Sequence, residues 1–434
     1  MTTAVVGAGL AGLVRARALA ARGEDVMLFE ASDRAGGVVL SEKVDGYLLE
    51  LGPNTVRPTP ELWRLVHELG LESEALLADP RMPRYIDFGG RLHRLPASPG
   101  AFLRTGLLSP RGKLRLLAEP FTRPEDASGE TVRAFFTRRL GREVADRFVE
   151  PFIAGIWAGS SDQLSIEQAF PVLARWETER GSLTRGAIAA RRKAPREPVA
   201  RKRGLLSFPA GLERLPRRLA EDLGPRARLG VAVDSLARAT HGWKLSVAGV
   251  SVEVERVCLA TPAAEAARLV ESVAPDAAAA LSGIPHTPLV VVHLSAPAGE
   301  RRAGFGHLVV PQSGRRVLGA IWSSSLFAGR APSGRALYTA FLGGARDPGA
   351  LSLVDEEVIE IASRDLCAAL ETRERFEPVR ITRYPRAIPQ YDLDHRGRMK
   401  TLSRAEAALP GLSFLGSYRG GISVGDVVRS ALAV

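Results

Sequence analysis

The chain has 434 residues, 45% of them hydrophobic and 25% charged, with a net charge of +11. That length exceeds the roughly 250–300 residues at which a single core usually divides, so two or three domains are expected, and the composition is that of a soluble globular protein. No apolar run reaches the ~20 residues of a membrane-spanning helix. Cys258 and Cys367 lie far apart in apolar segments and read as buried free thiols, and the histidines show no metal-ligand spacing.

Met1 leads within two residues into the apolar strand Thr3-Ala4-Val5-Val6. That leaves no space for a signal or transit peptide, so a bacterial-type cytoplasmic protein, or one already trimmed, is expected. The strand stops at Gly7-Ala8-Gly9-Leu10-Ala11-Gly12, an Ala/Leu/Arg helix runs to about Arg22, and Val26-Met27-Leu28-Phe29 ends on Glu30, eighteen positions after Gly12. Gly7 makes the tight turn, Gly9 lets backbone approach a pyrophosphate, and Gly12 lets the helix sit close to the sheet. Leu10 and Ala11 open a helix whose unpaired N–H groups face phosphate, and Glu30 can accept ribose hydroxyls. The unit reads as a dinucleotide fold without choosing between NAD and FAD.

Ala31 to Gly37 continues directly, with Arg34 placed to meet the same diphosphate, and Glu50-Leu51-Gly52-Pro53-Asn54 closes the unit. This run resembles the second FAD motif of the amine oxidase and protoporphyrinogen oxidase flavoproteins, where the isoalloxazine ring lies near the Gly-Pro-Asn turn. A nicotinamide enzyme has no reason to carry Arg34-Ala35-Gly36-Gly37, so FAD is the expected cofactor.

Thr59 to Gly70 is an amphipathic helix with Leu62, Leu65, Val66 and Leu69 on one face. Residues 84–88 and 91–95 flank Gly89-Gly90 as a hairpin. From Pro99 to about Trp176 the pattern is helical, and Phe102, Leu103, Leu107 and Leu108 read as core or as a membrane-resting segment. Residues 180–203 hold nine Arg/Lys against Glu197, a net of +8. Pro195 and Pro198 argue against one continuous helix there. A solvated loop and contact with an anionic membrane both fit; with no interleaved aromatics, nucleic acid is not expected as a partner.

From Ser207 strand and helix alternate again: strands over 229–236, 243–247 and 252–255, then a buried strand 257–260 before an Ala-rich helix. Strands over 289–295, 307–310, 317–322 and 336–342 suggest a largely antiparallel sheet, and 355–371 a long helix. Leu412 to Ser417 and Gly420 to Asp426 give a last strand, a glycine turn and a last helix. The expected architecture is α/β plus α+β. Residues 1–80, 204–270 and 385–434 form a discontinuous Rossmann-like FAD-binding domain, 81–97 and 271–384 a substrate domain, and 98–203 a helical, membrane-facing domain carrying the basic loop 180–203.

Gly155-Ile156-Trp157-Ala158-Gly159, Gly304-Phe305-Gly306, Leu318-Gly319-Ala320-Ile321, Phe341 to Arg346, Ile388-Pro389-Gln390-Tyr391 and Gly420 to Gly425 resemble the protoporphyrinogen oxidases, in family order from end to end. The resemblance implies oxidation of protoporphyrinogen IX to protoporphyrin IX, with three hydride equivalents passing to FAD and molecular oxygen as acceptor. It implies that Arg84 pairs with a substrate propionate, that Leu308 and Ile321 sandwich a pyrrole ring, that Phe341 stacks on the macrocycle and that Asn54 orients substrate. For the cofactor it adds Val233 near the adenine, with Ala260, Gly416, Gly421, Ser423 and Val424. A ferrochelatase of the pathway and a second copy of the chain are further expected partners.

Trp157 stands where smaller aromatics are common, which suggests a narrower pocket mouth. Gly421 to Gly425 also fits the GxSxG elbow of α/β-hydrolases, but no histidine follows it, which removes that reading. An amine oxidase and a coproporphyrinogen III oxidase are the nearer rivals.

Overall fold

The computed structural model describes residues 1–193, 204–299 and 303–433. Its first sheet is parallel, with the strands in the order Leu412–Phe414, Arg256–Leu259, Thr2–Val6, Asp25–Phe29 and Ala227–Arg228. A parallel sheet is covered on both faces, so its central residues Ala4, Val5, Val6, Leu28, Phe29 and Leu259 are apolar and buried. Val5 packs with the helices Leu10–Ala21, Pro60–Glu68, Arg214–Leu223 and Val424–Leu432, through Leu13, Leu62, Leu219 and Val428. Ala4 and Val6, on the other face, meet Trp243, Leu245, Ala266 and Leu281. Each fully buried Leu or Val in these layers contributes roughly 1.5–3 kcal/mol.

The second sheet has seven strands, in the order Glu377–Pro389, His286–Pro297, Arg335–Gly343, Val317–Ile321, Gly306–Val309, Arg84–Phe88 and Arg91–Arg94. Only the pairing of Gly306–Val309 with Arg84–Phe88 is parallel. Helix Asp355–Leu370 covers one face, setting Val358, Ala362 and Leu366 against Val290, Val292, Ala340 and Leu342.

Helices from Pro99–Arg104 to Leu183–Lys193 form a third region around Phe135, Ile153, Trp157 and Ile166, and Tyr391 enters the same core. Arg139, Glu119 and Glu177 lie inside it fully buried, with Arg139 bridging the two carboxylates.

Several sequence expectations need correction. The first part of the basic stretch is a helix, Leu183–Lys193, rather than loop. Ser182 Oγ accepts from Arg185 N at 3.2 Å, and an Ala/Arg-rich run with no proline before 195 favours helix. Residues 194–203 lie outside the described residues. The strand expected over 229–236 is split by Gly230, at φ +70°, into Ala227–Arg228 and Val233–Arg238. The border drawn at 384/385 cuts the continuous strand Glu377–Pro389, which pairs along His286–Pro297. The border at 270/271 excludes helix Pro275–Ser282, whose Ala277 and Leu281 belong to the first sheet's core. Leu107 and Leu108 are core, whereas Leu103 is exposed. Cys258 is buried, but Cys367 is only half-buried.

Candidate active site

The glycine turn after the first strand is closed on two sides and open on the third. A Cβ on Gly12 would lie 1.9 Å from Gly7 O, and one on Gly7 (φ +104°) would lie 2.9 Å from Ala260 O. A Cβ on Gly9 would meet nothing within 4 Å, so this part of the turn faces open space at the N-terminus of helix Leu10–Ala21. Glu30 follows the second strand: Oε2 accepts from Ala8 N at 2.6 Å, and Oε1 from Ser32 N at 3.0 Å and Ser32 Oγ at 2.9 Å. Ala31 beside it is exposed. Val231 N donates to Glu30 O at 2.7 Å, which brings the segment leading to buried Val233 alongside.

The second motif touches the first. Gly9 and Gly36 form a parallel bridge, and a Cβ on Gly37 would sit 3.1 Å from Gly9 Cα. Arg34 Nη2 donates to Gly37 O at 2.7 Å, while its buried Nη1 has no hydrogen-bond partner among the described residues. A buried guanidinium nitrogen with nothing to donate to, beside two glycine loops and an open helix N-terminus, fits a diphosphate.

The chain's far end meets this cradle. Leu415 N donates to Leu259 O at 2.9 Å, and Gly416 follows. Gly421 (φ +122°) donates its N–H to Tyr391 Oη at 3.0 Å. Ser423 caps helix Val424–Leu432, and Val424 packs on the core shared with the opening helix. Arg15 Nη2 then donates to Ser430 O and Ala433 O, at 3.2 and 3.0 Å, and ties the two end helices together. The Gly52-Pro53-Asn54 turn is pinned by Leu51, whose N–H donates to Leu40 O at 2.9 Å and whose carbonyl accepts from Tyr384 Oη.

The four candidate substrate residues share one face of the seven-stranded sheet. Arg84 pairs with Gly306, Gly306 with Ile321, and Ile321 with Thr339; in the next row Ile86 pairs with Leu308, Leu308 with Gly319, and Gly319 with Phe341. Paired residues point to the same side of a sheet. Arg84, Leu308, Ile321 and Phe341 therefore line one surface, and Gly319 leaves a gap between Leu308 and Phe341. Helix Glu150–Trp157 lies over it: a Cβ on Gly155 would fall 2.4 Å from Leu308 Cδ2, and Phe341 packs against Ala154 and Ala158. Asn54 joins Ile321 around a small cavity, whereas Leu308 and Phe341 stay under the helix.

Arg84 is exposed, with its guanidinium 5.1 Å from the centre of the Phe305 ring. Partial burial, with Arg57 adding its charge, pulls its pKa below the usual guanidinium range. Neither arginine has a carboxylate partner among the described residues. Sequence reading missed Arg57, as it missed the buried pair Glu50–Arg330; only the position of Glu50 just before Gly52-Pro53 hinted at the latter. Trp157 does not narrow a pocket mouth. It is 3% exposed and packs edge-on against Phe170 and Tyr391 in the helical core.

A nucleotide cradle built from both chain ends, set beside a largely antiparallel sheet that carries an exposed cation, defines a flavin-dependent oxidoreductase. Residues 10–434 match the family of flavin-containing amine oxidoreductases, and the chain belongs to that family. It is similar to the chloroplastic protoporphyrinogen oxidase of Nicotiana tabacum, at 33% identity over 99% of this chain and 84% of that protein. It is also similar to the coproporphyrinogen III oxidase of Bacillus subtilis, at 28% identity over 99% of this chain and 96% of that one. A solved structure from Exiguobacterium sp. 255-15 superposes with a TM-score of 0.80 at 23% identity, covering 99% of this chain and 97% of that chain.

Proposed function

We propose that this chain uses FAD to oxidise protoporphyrinogen IX to protoporphyrin IX, with molecular oxygen as final acceptor, in tetrapyrrole biosynthesis. The observation that carries the reading is the sheet face shared by Arg84, Ile321, Leu308 and Phe341, of which Ile321 meets Asn54 of the Gly52-Pro53-Asn54 turn. A cation at one end of an apolar surface suits a flat macrocycle with carboxylate arms. When bound, the flavin takes up the hydride equivalents that aromatisation releases. The protein's part is placement: Arg84 pairs with a propionate, Leu308 and Ile321 form apolar walls, Phe341 lies against the ring, and Asn54 orients it from the turn. Gly7, Gly9, Gly12, Glu30, Arg34 and the 416–424 turn hold the cofactor.

The test is an aerobic assay of the purified yellow protein with each porphyrinogen, following porphyrin fluorescence. Protoporphyrinogen IX is expected to be oxidised; a colourless protein, or a yellow one inert to porphyrinogens, would end the reading. The Bacillus relative and the second cation, Arg57, favour coproporphyrinogen III as the alternative substrate. A higher kcat/KM for that substrate would decide for it.

The helical region is proposed to rest on an anionic membrane surface. Leu103, Leu114, Leu117 and Phe121 are 58–86% exposed amid Arg104, Arg111, Lys113 and Arg123, and Lys113 Nζ donates to Leu103 O at 2.8 Å. No helix among the described residues is long and apolar enough to cross a membrane. Flotation with phosphatidylglycerol vesicles, lost in a Phe121→Ser/Leu117→Ser variant, tests the contact.

A further inference from the structure

Glu50 and Arg330 form an ion pair at 2.8 Å with side chains only 5% and 2% exposed. Glu50 Oε1 also accepts from Leu212 N at 3.0 Å, and its Oε2 accepts from Ser41 Oγ at 2.6 Å. Arg330 Nη2 also donates to Ser207 Oγ, and the Phe327 ring centre lies 5.5 Å from the guanidinium. Its Nη1 has no hydrogen-bond partner among the described residues.

Arg330 lines a cavity of about 10 Å³ together with Glu50, Asn54, Ile321 and Ser323. Asn54 Nδ2 donates to Gly52 O at 3.1 Å, which leaves Oδ1 as the acceptor of that side chain. Ser323 Oγ shares a hydrogen bond with Thr339 Oγ1 at 2.9 Å. A cavity of this size is about the least that admits one water molecule. Among its lining residues Arg330, Asn54 and Ser323 carry polar groups that such a water could join, and the Arg330 Nη1–H is buried and costly to leave unmade.

We propose that Arg330 is a positioning residue: it binds one internal water that also hydrogen-bonds to Asn54, and so fixes the carboxamide beside the substrate face. Glu50 sets the direction of Nη1 by holding Nη2. The inference rests on the proposed function for its kinetic consequence, but not for the water site.

A high-resolution crystal structure of the wild-type protein is expected to show a water within hydrogen-bond distance of Arg330 Nη1 and Asn54 Oδ1. Glu50→Gln/Arg330→Gln removes both charges together, so no buried charge is left unpaired. In it Asn54 is expected to adopt more than one rotamer. Porphyrinogen kcat should fall on the order of tenfold to a hundredfold, with KM and the flavin spectrum unchanged; a merely structural pair would move the unfolding midpoint alone. Arg330→Lys retains the charge against Glu50 but not the planar fork, and is expected to lose the water as well. A dry cavity in the wild type, or a single Asn54 rotamer with unchanged kcat in the double variant, overturns the proposal. If the double variant does not fold, the wild-type cavity and Arg330→Lys decide. If the wild type oxidises no porphyrinogen, the proposed function fails while water and rotamer still judge this one.

Discussion

Tyr391 Oη donates to Ser417 O at 2.7 Å and accepts the Gly421 N–H at 3.0 Å. Its ring stacks on His395 at 4.0 Å and meets Trp157 edge-on at 5.0 Å. The C-terminal glycine turn is thus held from the helical side as well as by its own strand. Tyr391→Phe should keep the packing but leave the part-buried Gly421 N–H and Ser417 carbonyl without this partner, at a cost of about 1–3 kcal/mol. Urea denaturation measures that loss, and flavin fluorescence released on dilution should appear sooner than in the wild type.

Arg84 has no carboxylate partner among the described residues, so Arg84→Ala should leave the unfolding midpoint nearly unchanged. If it pairs with a propionate, the KM for porphyrinogen should rise more than kcat falls. Steady-state kinetics check this, and unchanged kinetics would remove Arg84 from the site.

A Cβ added at Gly155 would press on Leu308 Cδ2, the far end of a flexible side chain. Gly155→Ala should therefore fold, with a stability loss under about 1.5 kcal/mol, and displace Leu308 along the candidate substrate face. A drop in kcat/KM on the order of tenfold is expected. Equal kinetics would mean that the macrocycle does not lie against Leu308.

At Gly12 the obstacle is backbone, the Gly7 carbonyl, and cannot turn aside. Gly12→Val is expected to cost roughly 1–3 kcal/mol or more and to yield protein that elutes from gel filtration without flavin. Retention of a full complement of yellow cofactor would contradict the cradle described above.

The helical core carries its own acid sensitivity. Burial raises the pKa of the Glu119 carboxyl, but hydrogen bonds from Ser182, Thr184 and Arg139 outweigh it and hold the pKa at about 2. A depressed carboxylate pKa stabilises the fold fully above the ordinary value of 4.5, and that contribution fades as pH falls from there to about 2. Melting scans should show this loss in the wild type. Glu119→Gln should be less stable at neutral pH, by about 3 kcal/mol, because the depressed carboxylate is gone and Arg139 keeps only Glu177 beside it, and flatter across the acid window.

Much of this was legible in the chain because the signals were local. Gly7, Gly9, Gly12 and Glu30 sit within one strand–turn–helix–strand unit, and their spacing carries their geometry. Strand Glu377–Pro389 was not legible: its arginines and three prolines mask any alternation, and only its neighbour His286–Pro297 makes it a strand. Helix Leu183–Lys193 was hidden by the charge that dominates its composition. Gly155 matters through Leu308, and Arg330 through Glu50 and the Asn54 cavity. Such close approaches, made between residues far apart in the chain, leave no trace in spacing.

The parallel sheet places Leu412–Phe414 at its edge, against Arg256–Leu259, and lays the helix after it on the helix that opens the chain. During synthesis the strand Arg256–Leu259 must therefore wait, one flank bare, until residues about 150 positions later have left the ribosome. Its apolar flank is a standing invitation to other nascent chains in that interval. Slow elongation or a shortage of holding chaperones should lower the yield of this protein well before it alters the properties of the molecules that do finish folding.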